Sequence, residues 1–203
     1  ESELHTPGEA AAAASVLRRL CHLSRVVRTG HGTARQDVNV SIAGGARVEI
    51  KGVSSIRQIP GLVHAEALRQ KALLELRDEL RWRGVGPDAF DTVECLESGM
   101  QQEVAALRLA GCAGLLGQAT GTSRVFASEL VDRARVIACL DSGAGVRHSD
   151  GMADMATLRL VATARDRLHA GPDDAVVLLS GPSQDVAVAV TEVQTRMREA
   201  IAG

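Results

Sequence analysis

The sequence predicts an α+β fold: an antiparallel β-hairpin with a long helix, followed by a small α+β unit. Three observations predict it. Residues 37–51 alternate apolar and polar side chains on either side of a glycine pair, the two-residue period of a hairpin. Residues 62–80 and 186–201 space their aliphatic residues by three and four, the period of a helix face. Between two helical patterns, residues 175–180 form a short apolar run that reads as a buried strand.

The elements follow in order. Thr6-Pro7-Gly8-Glu9 opens a helix, with Thr6 as N-cap and Pro7 at the first helical position. The alanine run 10–14 continues it into Val16, Leu17, Leu20 and Leu23, and Gly30-His31-Gly32 ends the region as a loop. In the hairpin, Val38, Val40 and Ile42 share one face with Ala46, Val48 and Ile50. For the faces to match, residue 42 must oppose residue 46, which leaves the loop Ala43-Gly44-Gly45 with a glycine for the left-handed position. That register pairs Ser41 with Arg47, Asn39 with Glu49, and Asp37 with Lys51.

A long helix starts at Ile59-Pro60 and runs to about Arg83, with the stripe Leu62, Ala65, Leu68, Ala72, Leu76 and Leu80. Its other face, with Glu66, Arg69, Lys71, Arg77, Asp78 and Arg81, reads as solvated. Gly84-Val85-Gly86-Pro87-Asp88 reads as a domain joint, so the expected domains are 1–85 and 86–203. Beyond it, residues 104–109 and 113–116 read as short strands, and residues 128–139 as a helix. Residues 152–169 read as a clearer helix, with Met155, Leu158, Val161 and Leu168 on one side. Pro182-Ser183 caps a last helix striped by Val186, Val190, Val193, Met197 and Ile201.

Composition excludes several function classes. The chain has 203 residues and a formal charge of −2, so nucleic acid or membrane would have to be attracted by a local patch. Trp82, Phe90 and Phe126 are the only aromatic residues, too few for a surface that stacks single-stranded bases. Cys21, Cys95, Cys112 and Cys139 are too far apart for a CxxC metal or redox pair, and the setting expected is reducing and cytoplasmic. No apolar run approaches the ~20 residues of a membrane-spanning helix. Of the 23 basic residues only Lys51 and Lys71 are lysine.

The candidate chemistry lies on the hairpin's polar face. Asp37 and Glu49 are diagonal neighbours, spaced so that both carboxylates can lean toward one divalent cation. Lys51 and Arg47 flank them and suit phosphate oxygens, and Asn39 suits a substrate or a water. A solvated sheet face with cross-strand ion pairs is the alternative from pattern alone. Gly181-Pro182-Ser183 lacks the GK[ST] of a phosphate loop and reads as a turn and cap. His148-Ser149-Asp150 holds triad residue types, but adjacency does not give triad geometry, and it reads as a loop.

The stretch GTARQDVNVSIAGGARVEIKGV resembles the end of the catalytic domain in the family of the E-type subunit of archaeal glutamyl-tRNA(Gln) amidotransferase. ALRQKALLELRDELRWRG, ALRLAGCAGLLGQ, ELVDRAR, HSD and DDAVVLLSGP continue the resemblance in the family's order, over about residues 6–203. The second half resembles the insertion domain of bacterial aspartyl-tRNA synthetases. Two stretches depart from the family: Asp150 leads into Gly151-Met152-Ala153, and the run before the Glu-Leu segment reads GTSRVFASEL.

The resemblance implies an ATP-dependent ligase that converts Glu-tRNA(Gln) to Gln-tRNA(Gln). ATP and Mg2+ phosphorylate the glutamyl γ-carboxylate, and ammonia from a partner subunit of the D type displaces the phosphate. Residue by residue it implies Asp37 and Glu49 as metal ligands, with Arg35, Asn39 and Lys51 at catalytic polar positions. It also implies a heteromer off the membrane and a chain that begins partway through the catalytic domain. A non-catalytic tRNA-associated or interaction module is the competing expectation.

Overall fold

The hydroxyl of Thr6 accepts the Glu9 N–H, and the Glu9 carboxylate accepts the Thr6 N–H at 3.0 Å, a reciprocal capping box that starts helix α1 (Pro7–Ser24). The computed structural model describes residues 3–28, 30, 33–98, 102–121, 123–140, 145–151 and 154–202. They divide into two compact units, Glu1–Lys71 and Ala72–Gly203.

The first unit holds α1, the strands β1 (Gln36–Val40) and β2 (Val48–Val53), a 3-10 turn at Ile56–Gln58 and the start of α2 (Ile59–Trp82). β1 and β2 form a two-stranded antiparallel sheet. Its core is small: Ala14, Val53 and Ile59, with Val38, Ile50 and Leu62 packed around them. The alanine half of α1 lies on this core, whereas Val16, Leu17, Leu20 and Leu23 are exposed. The predicted stripe of α2 holds at Leu62, Ala72, Leu76 and Leu80 but not at Ala65 and Leu68. Leu68 is 37% exposed and Ala65 is exposed, and the inward position is taken by Gln70.

The second unit is built on a four-stranded antiparallel sheet of β3 (Val93–Ser98), β4 (Glu103–Leu109), β5 (Val146–His148) and β6 (Ala175–Gly181), in the order β3-β4-β6-β5. Helices α3 (Phe126–Val136), α4 (Met155–Arg167) and α5 (Ser183–Ala202) complete it. Both faces of the sheet are covered. Ala105, Leu107, Ala175, Val177 and Leu179 point to a core shared with α3, α5 and the last turns of α2. Ala106, Val176 and Leu178 point to a second core under α4. This is why β6 reads as an unbroken apolar run rather than an alternating one.

The architecture is the α+β arrangement that the sequence predicts. Several expected elements differ in detail. Residues 113–116 form successive turns rather than a strand, with Gly111 at φ 71° and Gly114 at φ 79°. Those left-handed positions coil the segment and bury Leu115 and Leu116. Helix α4 starts at Met155 because Asp154 caps it, accepting the Thr157 N–H at 2.7 Å. Met152, its expected start, lies outside the described residues, as do His31 and Gly32 of the expected loop. The buried side of α4 carries Thr157, Val161, Ala164 and the following Leu168, leaving Met155 and Leu158 exposed.

Candidate functional site

The hairpin's two faces separate as the alternation requires. Asp37, Asn39, Ser41, Arg47, Glu49 and Lys51 are exposed, while Val38, Val40, Ile42, Val48 and Ile50 are buried or half-buried. The register is Val38↔Ile50, Asn39↔Glu49 and Val40↔Val48, which continues to the expected opposition of residues 42 and 46. At the tip, the Gly45 N–H donates to the Ile42 carbonyl at 3.0 Å and Gly44 takes φ 81°, the positive angle that a type II turn places on its third residue.

At the open end the register changes. Gln36 pairs with Val53, so Lys51 and Gly52 together face the single residue Asp37. Gly52 takes φ 72° in this bulge, and its N–H donates to Asp37 Oδ1 at 2.8 Å. The expected pairing of Asp37 with Lys51 is therefore replaced. Lys51 turns along its own strand to Glu49, with Nζ 3.2 Å from Oε2. Arg35 lies at the same end, its Cδ 3.8 Å from where a Cβ on Gly52 would stand. Of the residues singled out by sequence, Asp37, Asn39, Glu49 and Lys51 share one exposed face, and Arg35 covers the bulge beside it.

The donor set has a definite chemical capacity. Among the described residues, Asp37 bonds through Oδ1 alone, and Glu49 holds only an exposed ion pair, which is easily exchanged. No group of three or more His, Cys, Asp or Glu residues that could hold a metal occurs among the described residues. Two carboxylates fit a hydrated Mg2+ that takes its remaining oxygens from water and from substrate phosphates. They do not fit an ion held by protein alone. Lys51 and Arg35 add positive charge at the same end of the hairpin, of a kind that suits phosphate oxygens.

Sequence reasoning missed the support behind this face. Gln70 of α2 is buried, and its carbonyl oxygen accepts the Ile42 N–H at 3.1 Å. Its amide nitrogen donates to the Val40 carbonyl at 3.1 Å and to Glu66 Oε1 at 2.9 Å. Glu66 is gripped in turn by Arg69 through Nε and Nη2, at 2.9 and 3.1 Å. The sequence pattern alone places Glu66 and Arg69 on a solvated face. The available signal is a polar trio at i, i+3 and i+4 in the first half of the helix that comes after the hairpin.

The motifs of the second unit are structural. The Ser149 hydroxyl accepts the Val176 N–H at 3.0 Å, and Asp150 Oδ2 accepts the Leu116 N–H at 3.1 Å. His148-Ser149-Asp150 thus fastens the end of β5 to β6 and to the turn at residues 112–118. Burial holds the His148 imidazole below its ordinary pKa, against a smaller opposing pull from Asp150. Gly181-Pro182-Ser183 is the turn into α5.

Residues 1–165 match the family described as the GatB/GatE catalytic domain. Three curated relatives each bear the name of the E subunit of glutamyl-tRNA(Gln) amidotransferase. The chain is 35% identical over 217 residues to that of Thermococcus gammatolerans, covering 99% of this chain and 34% of the relative. It is 38% identical over 220 residues to that of Methanopyrus kandleri, covering 100% and 34%. With Halobacterium salinarum strain R1 the values are 37% over 213 residues, covering 99% and 34%. The chain thus spans about a third of the length of the curated relatives it matches.

Proposed function

Because this chain belongs to the GatB/GatE catalytic-domain family, we propose that it supplies part of the active site of an enzyme that amidates Glu-tRNA(Gln) to Gln-tRNA(Gln). The observation that carries the reading is the hairpin. One exposed face holds two carboxylates, an amide and a lysine, at the positions the family resemblance marks. Its opposite face is anchored on aliphatic residues.

The chemistry has two steps. An oxygen of the glutamyl γ-carboxylate attacks the γ-phosphorus of ATP and ADP leaves, giving an acyl phosphate. Ammonia then attacks the acyl carbon and inorganic phosphate leaves. A carboxylate is a poor electrophile, and the phosphoryl group gives it a leaving group. The first step moves negative charge between oxygens, so it depends on preorganised positive charge. When bound, Mg2+ would neutralise charge on the transferring phosphoryl group, held here by Asp37 and Glu49. Lys51, released from Glu49, reaches phosphate oxygens, and Arg35 adds a second cation at the bulge. Asn39, opposite Glu49, positions a substrate polar group or a water. The ammonia is supplied by a partner subunit of the D type, which makes the working enzyme a heteromer of the cytoplasm. The reading takes residues 1–85 as part of the catalytic domain and residues 86–203 as an insertion domain like that of bacterial aspartyl-tRNA synthetases.

The test is a chimera in which this chain replaces the matching third of the Thermococcus E subunit. The complete enzyme is assayed with Glu-tRNA(Gln), ATP, Mg2+ and ammonium as nitrogen donor. Asp37→Asn and Glu49→Gln should each reduce amidation by at least about a hundredfold at limiting Mg2+, since each removes one of two protein ligands from a charge-neutralising site. They should leave glutamine hydrolysis by the partner subunit unchanged. Full amidation by both variants at limiting Mg2+ overturns the assignment.

A further inference from the structure

We infer that Gln70 is the positioning residue of the hairpin: it fixes where the carboxylates of Asp37 and Glu49 stand. The inference rests on the reading of that face as a metal and phosphate site. Gln70 sits on α2 and is 4% exposed, yet its side chain bonds away from its own backbone, twice to the hairpin and once to Glu66. Its carboxamide accepts from Ile42 N–H and donates to the Val40 carbonyl, so it brackets Ser41 as the peptide group of a neighbouring strand would. Ser41 is on the polar face, two residues from Asn39, which pairs with Glu49.

Three features make this a locating contact rather than generic packing. The orientation of the carboxamide is fixed, because the reverse orientation would set its oxygen against Glu66 Oε1 and the Val40 carbonyl. Glu66 is itself clamped by Arg69, so the amide cannot follow a shift of the hairpin without breaking a charge-assisted pair. The turn is also shaped to admit it: a Cβ on Gly45 would come within 2.7 Å of Gln70 Oε1. The hairpin is otherwise a two-stranded sheet with one covered face, a structure with little stiffness of its own. A polar side chain that grips its backbone converts it into a fixed wall.

The test uses the 203-residue chain and Mn2+ as a paramagnetic probe. Line broadening of the Asp37, Asn39 and Glu49 amides gives the binding midpoint, and hydrogen exchange gives the protection of the Ile42 amide. Gln70→Met keeps the volume and removes the bonds. It should lower Ile42 protection by about tenfold and raise the Mn2+ midpoint by about tenfold, with amide protection in β4 and β6 unchanged. Gln70→Glu supplies a second readout that packing alone would not move. Its ionised carboxylate cannot donate to Val40 and faces Glu66, whereas its protonated form again both accepts and donates. Ile42 protection should therefore return as pH is lowered. A Gln70→Met chain that binds Mn2+ at the midpoint of the unsubstituted chain overturns the positioning role alone, as does Ile42 protection in Gln70→Glu that ignores pH. Absence of Mn2+ broadening in the unsubstituted chain overturns the metal reading of the hairpin and this inference with it.

Discussion

A single thiol illustrates how strongly this fold grades the chemistry of like residues. Cys112 is fully buried in the larger core of the second unit, and burial pushes its pKa up to about 12. At pH 8 its thiolate fraction is then about one in ten thousand. Cys21 and Cys139 are exposed free thiols. Cys95 is exposed too, but residual desolvation and then the charge of Glu103 raise its pKa. Alkylation of the native chain with iodoacetamide should label Cys21 and Cys139 first, Cys95 more slowly and Cys112 only after denaturation. Mass mapping of labelled peptides checks it, and Cys112 labelling at the rate of Cys139 would contradict the packing described. The same contrast governs the acids. Asp37 was legible as an exposed acid of the hairpin's polar face because its exposure follows from strict alternation. Its bond to Gly52 was not, because a bulge adds one residue to the register and only the folded strands reveal where.

At the scale of elements, the join between β4, the turn after it and β6 depends on Asp174. This side chain accepts from the Gly111 and Gly171 N–H groups at 2.9 and 2.8 Å and from Arg108 Nε at 2.8 Å. Burial raises its pKa, but the two backbone donors and Arg108 outweigh that and hold it below the ordinary value. A carboxylate with a depressed folded-state pKa contributes stability above its unfolded value, near ~3.9, and loses it as pH falls through the folded value. Asp174→Asn turns a donor toward these donors and should cost about 2–3 kcal/mol at pH 7. The gap between the two proteins in urea denaturation should narrow below about pH 4. A gap that stays constant down to pH 2 would remove the charge from this account. Other joins were legible in the sequence to different degrees. The hairpin register, the Thr6 cap and the stripe of α5 follow from local periodicity. Strand β5 was not legible because three residues carry no period, and its place is set by pairing with β6. Residues 113–116 look like a strand by apolarity alone, and the glycines that coil them act through φ rather than hydropathy. Gln70 escaped because a polar residue on an inward face reads as a flaw until its backbone partners, 28 and 30 residues away, are in place.

Across the whole molecule the two units differ in charge and in depth of core. Residues 1–71 carry ten basic against six acidic residues, and residues 72–203 carry thirteen against nineteen. The near-neutral total therefore hides a basic first unit, the one that holds the proposed phosphate-handling face. Core depth runs the other way. The second unit covers both faces of four strands, whereas the first has a small cluster beneath a two-stranded sheet. Buried apolar area is the main stabilising term, and an isolated hairpin is marginal. In a urea series followed by amide hydrogen exchange, Val38 and Ile50 should lose protection at lower urea than Leu107 and Val177. The hairpin then opens as a local unit below the global transition. Mg2+ with ATP bound to the hairpin's polar face would stabilise the closed form alone, so saturating Mg2+ and ATP should move the hairpin transition upward and leave the β4 and β6 transition in place. Coincident loss of protection at all four amides would show that the first unit has no separate opening. A separate hairpin transition unmoved by Mg2+ and ATP would instead keep the account of stability and count against the hairpin as a nucleotide and metal wall, which is why the two outcomes are read from one experiment.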